Sequence, residues 1–128
     1  MLKQVFIVNK DLKMGTGKIA VQVAHGEVLY MESLPNSMDY PDTRLDRYGG
    51  WRSDTPEDPI GMMKKVVLKA SENEIRDIFM KLRTLNIWCF LIHDKGFTQV
   101  VPNSLTCLVV EPLDEGNCDA FFGHLKLL

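Results

Sequence analysis

The stretch Lys13-Met14-Gly15-Thr16-Gly17-Lys18-Ile19-Ala20-Val21-Gln22-Val23-Ala24-His25 changes character halfway along. Gly15 and Gly17 give its first part the backbone freedom of a loop. From about Lys18 to Met31 the residues suit one continuous helix. On a wheel at about 100° per residue, Lys18, Gln22 and His25 fall within about 60° of one another. Ile19, Ala20, Val21, Val23, Ala24, Val28 and Met31 cover most of the remaining circumference, with Glu27 the exception. A helix this apolar is expected to be largely buried, its polar stripe facing a cleft or a subunit contact. Lys18 in the first turn opposes the helix dipole at a cost of about 0.3–1 kcal/mol. Beside unpaired backbone N–H groups it is suited to an anion, and equally to being a solvated lysine. Gln22 and His25, taken singly, are more often buried hydrogen-bonding residues than catalysts.

Working outward, Val5-Phe6-Ile7-Val8 before this stretch suits a buried strand within residues 3–9, and is too short for a signal peptide or membrane span. Beyond the helix, residues 33–60 read as a long insertion-like loop. Pro35, Pro41, Pro56 and Pro59, with Gly49-Gly50, argue against a continuous element, leaving at most a short helical turn at Thr43–Tyr48. Val66-Val67-Leu68 predicts a second strand. Ser71-Glu72-Asn73-Glu74 is a capping box, and Ile75, Ile78, Phe79, Leu82 and Leu85 follow at helical spacing, with Asn86 as a left-handed stop. Trp88 to Ile92 and Leu105 to Val110 predict third and fourth strands, and Asp114 a cap for a last helix through Phe122. The order β-α-β-α-β-β-α implies an α/β fold, a three-layer sandwich around a small four-stranded mixed, mostly parallel sheet.

The 128 residues suit a single domain, 1–128, with a core that needs no staples. Cys89, Cys107 and Cys118 show no framework spacing, as expected of reduced thiols in a cytoplasmic protein. A net charge of −2 argues against broad, sequence-blind nucleic-acid binding but leaves room for a local basic patch, such as Lys3, Lys10, Lys13 and Lys18. No apolar run approaches membrane length.

Gly15-Thr16-Gly17-Lys18 invites a nucleotide-loop reading, which fails. The phosphate loop needs a glycine where Leu12 stands and a Ser or Thr where Ile19 stands, and the dinucleotide pattern needs glycine where Ala20 stands. The other polar concentration, Asp94-Lys95-Gly96-Phe97-Thr98-Gln99, follows a strand, where α/β folds commonly place binding residues. Alone it reads equally as a turn set by Asp94 and Gly96.

Together the two segments resemble the type 2, archaeal and eukaryotic, peptidyl-tRNA hydrolase family. Lys13 to His25 is similar to its Lys-Met-Gly-x-Gly-Lys-x-Ala-x-Gln-x-x-His signature, and Asp94 to Gln99 to its Asp-x-Gly-Arg-Thr-Gln loop. Gly61 with Lys65 to Lys69, Leu105-Thr106 and the closing Gly123 to Leu128 resemble further segments in order. The resemblance implies hydrolysis of the ester between a peptide and the tRNA 3′ ribose, with peptidyl-tRNA as substrate, no metal or organic cofactor, and a homodimer. It maps proposed catalytic positions onto Lys18, Asp94, Thr98 and Thr106, and expected substrate-binding positions onto Gln22, His25, Gln99, Lys13 and Phe97. Those types suit direct attack by water. Asp94 would orient the water, being a weak base at an ordinary pKa of about 3.9. Lys18 would stabilise negative charge on the carbonyl oxygen or hold the terminal phosphate, and the threonines would donate hydrogen bonds.

Phe97 stands where the family usually has arginine, replacing a cation by a ring that could stack on a base. Met62 stands for a usual glutamine. These departures define the alternative: a divergent member that binds tRNA or a protein partner without hydrolysis.

Overall fold

The computed structural model describes residues 1–34, 41–52, 62–95 and 100–128. In chain order they form β1 (Leu2–Asn9), a 3-10 turn at Lys10–Leu12, α1 (Thr16–Ser33), α2 (Pro41–Arg52), β2 (Lys65–Ala70), α3 (Glu72–Thr84), β3 (Cys89–His93), β4 (Leu105–Val110), β5 (Leu113–Asp114), α4 (Glu115–Phe122) and β6 (Lys126–Leu127).

Alternation along β1 explains the layering. Val5 and Ile7 point to one face of the sheet, into a core shared with Ile75 and Leu82 of α3 and Cys118 and Phe122 of α4. Phe6 and Val8 point to the other face, against Tyr30 of α1 and Trp51 of α2. Helices therefore cover both faces of an α/β sheet. Among the described residues the sheet has six strands in the order β3-β4-β1-β2-β6, with β5 paired to β1. This corrects the expected four: β5 and β6 are two residues each, too short for alternation to reveal them.

The sheet is mixed. β1 pairs in parallel with β2 across the α1–α2 crossover, while β4 is antiparallel to both β1 and β3. β1, β2 and β3 thus share a direction, and β4 runs against them from between β1 and β3. β5 and β6 are antiparallel to β1 and β2 respectively, so β1–β2 is the one parallel pairing among the described residues and the sheet is mostly antiparallel, which corrects the expected mostly parallel character.

The capping box forms in full at α3: Ser71 accepts from the Glu74 N–H, and Glu74 accepts from the Ser71 N–H. Asp114 occupies the N-cap position of α4 without a side-chain bond to the helix. The larger difference is α2, a 12-residue helix where at most a turn was expected. Pro41 sits at its first position, where a missing N–H costs nothing. Gly49 and Gly50 weaken it by about 1 kcal/mol each, and docking offsets that. Trp51 is buried edge-on against Tyr30. Arg44 and Arg47 both donate to the buried Glu111 carboxylate, Arg44 also to Ser33 Oγ, and the Arg44 guanidinium lies 5.1 Å from the Trp88 ring centroid. Burial pushes the Glu111 carboxyl above its ordinary range while the two arginines pull it down. Tyr48 is half-buried.

On α1 the expectation of a mostly buried apolar helix is overturned. Its buried residues are Gln22, Gly26 and Tyr30, while Val21, Val28 and Met31 are 48%, 54% and 39% exposed. The helix lies close to the sheet because Gly26 has no side chain: a Cβ there would meet Val109 Cβ at 3.1 Å and Phe6 Cε1 at 3.2 Å. Gly26→Val should therefore cost about 1–3 kcal/mol by overpacking, read as a fall of several degrees in the thermal midpoint; an unchanged midpoint would show that α1 can lift without penalty.

Candidate active site

Lys18 and Gln22 are one helical turn apart on α1, and both reach the carboxylate that follows β3. Lys18 Nζ lies 2.6 Å from Asp94 Oδ1, and Gln22 Nε2 donates to the same oxygen at 3.2 Å. The Lys18 and Asp94 side chains are only 10% and 11% exposed, so the pair sits largely out of water, where unpaired charge is costly. Behind it, Thr106 Oγ lies 2.6 Å from Gln22 Oε1 and 3.1 Å from the Ile92 carbonyl oxygen. Gln22 and Thr106 are fully buried.

The polarity of this chain follows from chemistry. A carboxylate accepts only, so Gln22 must turn its NH2 to Asp94 and its oxygen to Thr106. The Thr106 hydroxyl has one proton, and the short contact commits it to Gln22. Lys18, Asp94, Gln22 and Thr106 thus form one connected unit spanning α1, the end of β3 and β4.

Thr106 reaches α1 only because the β3–β4 ladder is irregular. Ile92 pairs with Cys107 and His93 with Leu105, so the register skips Thr106. Cys107 packs with the α1-side core and Leu105 with the opposite one. The extra residue shifts the alternation, and Thr106 faces α1 beside Cys107; a bulge re-aims a side chain in this way. Asn9 supports the irregular strand by donating to the Leu105 carbonyl at 2.8 Å, and its own oxygen accepts from Asp11 N–H. Sequence reasoning did not single out Asn9; its signal is a buried asparagine ending an otherwise apolar strand.

The other predicted residues are placed differently. His25 and Lys13 are exposed and, among the described residues, join none of these bonds. Lys13 closes the 3-10 turn in a left-handed conformation, φ 51°. Phe97, Thr98 and Gln99 lie outside the described residues. All three cysteines are buried and unpaired, with Cys89 and Cys107 pushed up to about 12 by desolvation, far from a nucleophilic thiolate. Among the described residues no cluster of His, Cys, Asp or Glu could hold a metal ion, and no helix is long and apolar enough to cross a membrane.

The family model described as Peptidyl-tRNA hydrolase PTH2 matches residues 2–128. The chain belongs to the PTH2 peptidyl-tRNA hydrolase family. It is 38% identical over 128 residues to the peptidyl-tRNA hydrolase of Saccharolobus solfataricus, covering all of both chains. It is also 38% identical over 127 residues to that of Thermococcus onnurineus, covering 98% of this chain and 97% of the relative. A solved structure of a protein of unknown function from Agrobacterium tumefaciens shares the fold, with TM-score 0.53 and 14% identity over 99% of this chain and 97% of that one. In this PTH2 member the hydrogen-bonded unit predicts a clean separation by substitution. Thr106→Val strands the Gln22 oxygen and should lower stability by about 1–3 kcal/mol in denaturant unfolding, whereas Thr106→Ser keeps the donor and most of the stability. Equal losses in both would contradict a role for the hydroxyl.

Proposed function

We propose that this chain hydrolyses the ester joining a peptide to the 3′ ribose of tRNA, with the Lys18–Asp94 pair at the reacting centre. The carrying observation is that pair, 2.6 Å apart and nearly buried at the start of a helix, within a family of this activity. Water attacks the ester carbonyl carbon, the bond from that carbon to the ribose oxygen breaks, and the proton given up by water balances the one gained by the ribose hydroxyl. Asp94 accepts a hydrogen bond from the attacking water and orients it. Lys18, with three N–H donors on one ammonium, faces the carbonyl oxygen as negative charge grows there, in a site where water screens little. Gln22 and Thr106 are positioning residues: they hold the Asp94 carboxylate from behind. Thr98, outside the described residues, is a candidate donor to the substrate. His25, Gln99, Lys13 and Phe97 are candidate tRNA contacts, with Lys13 and His25 exposed on the α1 side of the site. The proposed setting is the cytoplasm, where peptidyl-tRNA arises.

The second reading, a member that binds tRNA or a protein partner without hydrolysis, rests on Phe97 replacing the usual arginine. Turnover separates the two. Purified protein should release peptide from N-blocked aminoacyl-tRNA, and Lys18→Ala and Asp94→Ala should each slow release at least about tenfold while remaining folded at the assay temperature, with a lowered thermal midpoint. Intact tRNA binding without release would favour the second reading.

We also propose a homodimer formed through α1. Val21, Ala24, Val28 and Met31 follow at alternating spacings of three and four along its outward side, the pattern of a helix-pair seam. Val28→Glu should shift the sedimenting species from dimer to monomer; a parent that sediments as a monomer would remove the proposal.

A further inference from the structure

β3 is a terminal strand in the sheet order, and its two sides differ. The Trp88 carbonyl accepts from Glu111 N–H at 3.0 Å, and the Ile92 carbonyl lies 3.1 Å from Thr106 Oγ. Asp94 N–H donates to the Ser104 carbonyl at 3.0 Å. Even-numbered residues thus turn their main-chain groups toward β4, and by the alternation of an antiparallel pair Cys89, Leu91 and His93 turn theirs outward. Cys89 is fully buried, which leaves half-buried Leu91 and exposed His93 as the outward-turned residues whose main-chain groups no described strand pairs. The edge also lacks the usual protections: Cys89-Phe90-Leu91-Ile92-His93 contains no lysine, acidic residue or proline. Phe90 is 44% exposed and stacks on Trp88 at 6.3 Å. This open edge ends at His93, directly before Asp94.

We infer that the outer edge of β3 binds the peptide moiety of the substrate as an added strand, a reading that rests on the hydrolase function proposed above. The edge is continuous with the reacting pair, and an edge recognises main chain. That is what an enzyme needs when the attached peptide varies in sequence, because N–H and C=O groups are common to every peptide. The ester lies at the C-terminal end of the peptide and must reach the Lys18–Asp94 pair at the C-terminal end of β3. The peptide therefore runs parallel to β3, with its earlier residues toward Trp88. At about 3.3 Å per residue, the accessible stretch from Leu91 to His93 accommodates roughly three residues of the substrate. Leu91 and His93 supply the bonds, and the surface of exposed Phe90 and half-buried Trp88 receives side chains on the α1 face. A single aminoacyl residue has no peptide group to pair, so the same edge favours peptidyl-tRNA over aminoacyl-tRNA.

The test uses wild-type protein and tRNA carrying N-acetylated peptides of one, three and five residues, each longer peptide also made with one internal amide N-methylated. The expected result is that kcat/KM rises with length by about 2- to 10-fold per main-chain bond gained. N-methylation at an alternate amide should remove one such step. Leu91→Pro, which deletes an outward N–H at a position where an edge strand tolerates proline, should keep hydrolysis of the one-residue substrate and lose the gain with length. If that variant does not fold, the N-methyl series on wild type decides alone. Hydrolysis of every substrate at rates insensitive to length and N-methylation would overturn the edge proposal while leaving the hydrolase reading intact; hydrolysis of none would overturn both. Insensitive rates with the Leu91 amide protected from exchange only at high protein concentration would assign the edge to a second copy of this chain.

Discussion

A carboxylate can accept hydrogen bonds but not donate them, and at Asp94 that one-way property fixes the polarity of everything behind it. Gln22 must present its amide nitrogen, Thr106 must then donate, and the buried glutamine is left with one orientation. Neither Gln22 nor Thr106 touches water, so no solvent molecule can substitute if one partner moves. The arrangement needs α1 at a set height over the sheet, which Gly26 allows. It also needs a strand that turns an out-of-phase side chain toward the helix, which the bulge at Thr106 provides. Packing, backbone irregularity and charge thus converge on four side chains.

Much of this was legible beforehand, for identifiable reasons. Long apolar runs and helical spacing report burial directly, so β1, α3 and β4 fall where the pattern puts them. The capping box is a local device whose two halves lie three residues apart, and it forms as read. The pairing of Lys18 with Asp94, 76 residues apart, was legible only as two polar concentrations sharing a family resemblance. Nothing local in either segment encodes the other.

What escaped the sequence depends on tertiary context. Helix α2 contradicts its own propensities, with a proline and a glycine pair, and exists because Trp51, Arg44 and Arg47 find partners on the sheet and on α1. The burial of α1 departs from its composition because composition cannot say which apolar residues a short sheet will cover; the buried stripe is Gln22, Gly26 and Tyr30. The bulge escaped because the parity of a strand is set by its neighbour. β5 and β6 carry too few residues to show a period.

The site and the α2 dock lie at opposite ends of β4, Thr106 at one and Glu111 beyond the other, roughly 17 Å apart at strand rise. Both tryptophans of the chain belong to the second pole: Trp51 and Trp88 pack against Tyr30 at centroid distances of 5.9 and 5.8 Å, with Arg44 over Trp88. The intrinsic fluorescence of this protein is therefore a gauge of whether α2 is seated. A change in emission during denaturation dates the release of that helix, because seating it is what brings Trp51 against Tyr30 and Arg44 over Trp88.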